Sequence, residues 1–75
     1  MTLKARIETV LFVTAKAISS SEIAEILGEE VDTVEEALLD LIMDYSSREG
    51  ALEIDDEDGY ILQVKEDYIL LNLVP

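Results

Sequence analysis

The apolar residues of this chain keep a helical rhythm through its first two thirds, switch to strict alternation, and then crowd together at the end. Leu3, Ile7, Val10 and Leu11 recur at steps of three and four, with Thr14 on the same face. That spacing predicts a first helix within residues 1–15. Phe12 and Val13 lie beside the stripe, so apolar groups occupy more than one face. Such a helix expects cover from strands, from a neighbouring chain, or from both.

A short extended piece at residues 17–19, with Ile18 inward, leads into Ser19 and Glu22. Their spacing fits a capping box, in which each side chain satisfies an amide left open at the start of a helix. Ser20 is an alternative cap. The predicted second helix covers 19–27, buries Ile23, Ala24, Ile26 and Leu27, and ends at Gly28, where a left-handed residue is easily accommodated. A third helix is predicted over 32–46 from the stripe Val34, Leu38, Leu41, Ile42 and Tyr45. Asp32 or Glu30 is its expected cap, and Glu35 or Glu36 lies near its positive end.

"SSREG" interrupts the helical pattern, with Gly50 as a turn residue. Over residues 51–65 the period becomes two: Leu52 and Ile54 alternate with acids, and Tyr60, Leu62 and Val64 alternate with Ile61, Gln63 and Lys65. Asp58-Gly59 between the two runs predicts a tight hairpin turn, since both residues tolerate positive φ. Residues 66–74 expect the start of a fourth helix at Glu66 or Asp67, with Ile69, Leu70, Leu71, Leu73 and Val74 pointing in most directions. Three helices followed by a hairpin give an α+β fold, the winged helix-turn-helix, in a single domain over 1–75.

At 75 residues the core is small for independent stability, which makes a partner surface reasonable from the outset. With 49% hydrophobic residues the chain is too apolar for a disordered acidic tail despite a net charge of −13. The charge is uneven. Residues 1–21 set Lys4, Arg6 and Lys16 against Glu8, a local +2, whereas residues 22–75 set Arg48 and Lys65 against seventeen acids, a local −15. This layout suits self-association or a basic partner, and equally a solvated acidic surface. No stretch approaches the ~20 apolar residues of a membrane span, and no secretory leader is evident, so a cytoplasmic setting is expected.

The chain has no Cys and no His, which removes disulfides, thiolates, imidazole bases and the usual zinc ligands. The acidic loop "DDEDG" fails as a calcium loop. With Gly59 at the obligatory glycine, Ile54 falls where the first ligand belongs and Lys65 where the bidentate Glu belongs. No phosphate-binding glycine loop or nucleophile with a base is present. Neither an enzyme nor a cofactor is expected.

DNA binding through the second helix of the helix-turn-helix is disfavoured by sign. That helix carries Asp32, Glu35, Glu36, Asp40 and Asp44, and the wing carries Asp55, Asp56, Glu57 and Asp58. Phosphates need cations there. The remaining signal is apolar surplus outside the core stripes: Leu39 and Met43 on the third helix, Ile61 on the wing, and Tyr68, Leu70, Leu71 and Leu73 in the tail. These are the candidate partner-interface residues, and Leu39→Asp or Leu71→Asp is expected to convert a pair of chains into single ones.

The segments "LKARIETVLFVTAKAISSSEIAEILG", "VDTVEEALLDLIMDYSSREGALEI" and "DGYILQVKEDY" resemble, over nearly the whole chain, the segregation and condensation protein B family. These are bacterial subunits of the condensin-type SMC complex. The resemblance implies a winged-helix homodimer that binds the kleisin subunit, segregation and condensation protein A, and through it the SMC ATPase. It implies a nucleoid-associated role in chromosome condensation and partition. The family also carries a second winged-helix domain, and this chain stops at Pro75 before one. Kleisin contacts that need that domain do not carry over, and the apolar tail fits cover by a following domain.

Overall fold

The computed structural model describes the backbone of residues 1–73 and the side chains of residues 1–69. The order is α1 (Leu3–Thr14), α2 (Ser20–Leu27), α3 (Val31–Ser47), β1 (Leu52–Asp55), β2 (Ile61–Val64) and α4 (Glu66–Leu73). This is an α+β winged-helix arrangement.

Local chemistry explains most of the boundaries. Thr2 Oγ1 accepts the Ala5 amide at 3.2 Å and starts α1. The helix ends at Ala15, held left-handed at φ 52 and ψ 26, with its amide donating to the Leu11 carbonyl. For a residue with a Cβ that conformation costs about 1–2 kcal/mol. Ser19 and Glu22 form the capping box: the Glu22 amide donates to Ser19 Oγ at 3.1 Å and the Ser19 amide to Glu22 Oε1 at 3.3 Å. Gly28 closes α2 at φ 68.

At the start of α3 the cap position falls to Glu30, one of the two residues expected there. Val31 is already helical, which moves Asp32 past the cap position, and Glu30 occupies that position without a side-chain cap bond. Asp32 instead sits in the first turn, where its charge opposes the helix dipole favourably.

The hairpin is antiparallel, pairing Leu52 with Val64, Glu53 with Gln63, Ile54 with Leu62 and Asp55 with Ile61. Residues 56–60 separate the strands, so Asp58-Gly59 is not the two-residue turn the sequence predicts. Gly59 takes positive φ (84) and Asp58 does not. The glycine is required for a second reason: a Cβ there would lie 3.3 Å from the backbone N and O of Ile18. Ile18 and Tyr60 exchange backbone hydrogen bonds of 3.0 and 2.8 Å, which ties the α1–α2 connection to the hairpin.

The core is formed by Ile7, Leu11, Ile18, Ile23, Ala24, Val34, Leu38, Leu41, Tyr45 and Ile54, with Tyr60 and Leu62 packed against it. Two expected inward residues lie outside it. Ile26 is exposed; at about 100° of turn per residue, the inward set Ile23, Ala24 and Leu27 leaves it on the flank of α2. Val64 is exposed with its partner Leu52, because that pair lies one step beyond Ile54 and Leu62 along the hairpin.

Candidate interaction surface

Two apolar surfaces stand out among the described residues, and they differ in their borders. On α3, Leu39 and Met43 are 62% and 65% exposed and lie one turn apart. The residues three and four positions from them include Glu35, Glu36 and Asp40, all exposed, and Asp32 and Asp44 extend the acidic rim.

The other surface belongs to α1. Phe12 and Val13 are each 73% exposed, Thr9 lies beside them, and Ile26 of α2, 58% exposed, adjoins the same groove. Charged residues on the flanks of α1 are drawn back into the domain. Lys4 Nζ meets Asp44 Oδ2 at 2.7 Å. That hydrogen bond is the main cause that holds the Lys4 ammonium pKa above the ordinary lysine value. Arg6 reaches the C-terminal end of α2, donating to the Leu27 carbonyl at 3.0 Å and facing Glu29 at 3.5 Å. Placing a cation at this negative helix end is favourable.

The Glu8 carboxylate accepts the Tyr45 hydroxyl, and the Arg48 guanidinium stacks 4.1 Å from the Tyr45 ring centre. Burial, then the bond to Glu8, pushes the Tyr45 phenol pKa upward. Tyr60 is also pushed up, by burial first and then by the charges of Glu35 and Asp56.

Two open grooves flank Thr9. One, of about 350 Å³, runs between α1 and α2 and is lined by apolar atoms of Thr9, Val10, Val13, Thr14 and Ile26. The other, of about 240 Å³, is bordered by Glu8, Thr9, Phe12, Tyr45 and Leu62. No group of three or more His, Cys, Asp or Glu among the described residues could hold a metal ion. Nor is any described helix long and apolar enough to cross a membrane.

Of the interface residues expected from sequence, Leu39 and Met43 share one strip. Ile61 on β2 and Tyr68 on α4 are half-buried on separate elements. The side chains of Leu70, Leu71 and Leu73 lie outside the described residues. Phe12, Val13 and Ile26 form a surface the expected set omits. Its signal was the off-stripe position of Phe12 and Val13, whereas nothing in the pattern of α2 separated Ile26 from its buried neighbours.

The model of the family described as segregation and condensation complex subunit ScpB matches residues 5–71 of the 75. The chain belongs to the ScpB family. A solved structure, a crystal structure of a dimer of the ScpB N-terminal domain complexed with a ScpA peptide, superposes with a TM-score of 0.82 at 25% identity. The match covers 95% of this chain and 93% of the other. No curated protein matches the chain. The ScpB relation accounts for a helix-turn-helix whose second helix presents carboxylates, a surface unsuited to a polyanion.

Proposed function

We propose that this ScpB-family domain is a non-enzymatic interaction module that pairs with a second copy and holds a segment of the kleisin ScpA. In this role it serves an SMC complex in chromosome condensation and partition, in the cytoplasm and on the nucleoid. The observation that carries this is the likeness, over almost the full length of both chains, to a ScpB domain solved as a dimer with a ScpA peptide. The physical character of the surface supports it. Exposed apolar side chains on α1 and α3 offer protein-binding area, and the chain has neither His nor Cys for nucleophilic or imidazole chemistry.

Within this reading, Leu39 and Met43 are the surface for the kleisin segment. The acidic rim selects a segment whose apolar residues are flanked by Lys or Arg. Sedimentation of the chain alone and titration with a ScpA peptide test the proposal together. The expected result is a mass of two chains and saturable peptide binding that weakens in Leu39→Asp. A single-chain mass at micromolar concentration with no peptide binding rejects it. Retarded migration of duplex DNA at ordinary salt points instead to a nucleic-acid-binding role.

A further inference from the structure

Met43 brings to the outer face of α3 a chemistry that Leu39 lacks. Thiols and thioethers are the side chains that peroxide oxidises readily, and the chain has no Cys and two Met, Met1 ahead of α1 and Met43. The peroxide-reactive group within the folded elements therefore lies on the exposed strip of α3. We infer that Met43 is a redox-sensitive modification site: a peroxide converts its thioether to the sulfoxide and so releases the kleisin segment from this strip. The inference rests on the reading of Leu39 and Met43 as the kleisin surface and adds a means of regulation to it.

Access to the sulfur needs no opening of the fold. Met43 is 65% exposed, and the residues three and four positions away, Leu39, Asp40, Ser46 and Ser47, are exposed as well. Nor does the fold depend on this side chain, which belongs neither to the core nor to the half-buried residues packed on it. Oxidation thus changes a surface and leaves the helix standing. In the reaction a sulfur lone pair attacks one peroxide oxygen, an S–O bond forms and the O–O bond breaks. The leaving hydroxide takes the proton from the sulfur-bound oxygen and becomes water, so sulfur is oxidised by the two electrons that reduce the peroxide.

The consequence depends on what the new oxygen meets. A sulfoxide is polar, and its oxygen can only accept a hydrogen bond. The bordering carboxylates of Glu36 and Asp40 also only accept. The Ser46 and Ser47 hydroxyls donate to the Met43 and Asp44 carbonyls at 3.1 and 3.2 Å, and the Lys4 ammonium turns to Asp44 at 2.7 Å. Water supplies the missing bond in the free domain. An apolar segment laid over the strip excludes that water and leaves the oxygen unpaired, which weakens the complex. A leucine at position 43 would give nearly the same apolar contact; only the thioether makes the contact switchable.

Titration of a ScpA peptide against the full chain, before and after treatment with hydrogen peroxide, provides the test. Tryptic mapping locates the added oxygen, because Met43 falls in the fragment 17–48 and Met1 in the fragment 1–4. Met43 is expected to gain one oxygen in the free chain and to gain it more slowly when the peptide is bound. The oxidised chain should bind the peptide about tenfold or more weakly with its circular dichroism unchanged, and methionine sulfoxide reductase should restore the affinity. Met43→Gln, which places a polar group of similar length there, should bind as weakly as the oxidised chain. Met43→Leu should bind as the wild type does and be indifferent to peroxide, although Met1 still reacts. Unchanged affinity in a chain oxidised at Met43 overturns the inference, as does a Met43 that resists peroxide in the free chain, or an equal loss of affinity in treated Met43→Leu. An untreated chain that does not bind the peptide, or whose binding survives Leu39→Asp, removes instead the kleisin-surface reading on which the inference rests.

Discussion

Helices α1 and α3 each bury one face against the other and expose large apolar side chains away from it, Phe12 and Val13 on α1 and Leu39 and Met43 on α3. Their outer faces nevertheless have different chemistry. On α1, Lys4, Arg6 and Glu8 engage partners in the same domain, and an exposed cation, Lys16, follows Phe12 and Val13. On α3, Leu39 and Met43 stand among exposed carboxylates. Apolar area by itself says that something binds, whereas the border says what can: the carboxylates around Leu39 and Met43 favour a cationic segment.

The largest effect is expected where the inner faces of the two helices fail. Leu38, fully buried on α3, is one residue from exposed Leu39. Leu38→Ala is expected to destabilise the fold by about 2–5 kcal/mol, and Leu39→Ala by no more than about 0.5 kcal/mol. Chemical denaturation of the two variants at equal protein concentration measures the contrast. At roughly 0.05–0.15 kcal/mol per residue, the first change removes a large share of the stability available to a chain of 75 residues.

A smaller perturbation acts on the border itself. Tyr45→Phe removes the hydroxyl that holds Glu8 and is expected to cost about 1 kcal/mol, because water replaces part of the bond at this half-buried carboxylate.

Alkaline titration probes the same tie without mutation. The phenol pKa values of Tyr45 and Tyr60 are raised in the folded state, so the native chain holds these protons more tightly than the unfolded one. Their contribution is fully present below the ordinary phenol value of about 10 and is lost as pH rises through the higher folded values. Stability should decline above about pH 10, and the Tyr45→Phe variant should show a shallower decline.

The finest change is at the end of α1. Ala15→Gly relieves the left-handed strain at φ 52 and is expected to stabilise by about 0.5–1 kcal/mol. Thermal melts at fixed protein concentration register it as a small rise in Tm.

The sequence made the α3 stripe legible because its five inward residues keep the helical period over three turns, and the capping box legible because two side chains at fixed spacing meet a backbone requirement. Ala15 carried no comparable sign, since alanine has no preference for the left-handed conformation it adopts at the end of α1. Ile26 was indistinguishable from Ile23 in a helix of two turns. Val64 followed the alternation faithfully, but alternation reports which face a residue occupies and not how far the core extends beneath it. The two outer surfaces were half legible: Leu39 and Met43 stood off their stripe, while the ties of Arg6 and Lys4 into the domain run across 23 and 40 positions of sequence, which no local pattern encodes.

The mutual bonds between Ile18 and Tyr60 fasten the wing to the corner where the first helix gives way to the second. A load applied at the tip of the hairpin is thus transmitted through two backbone links to the floor beneath that corner, instead of being absorbed by a swinging arm. Mechanically the wing is a bracket, and cutting it loose would slacken the joint between the first two helices.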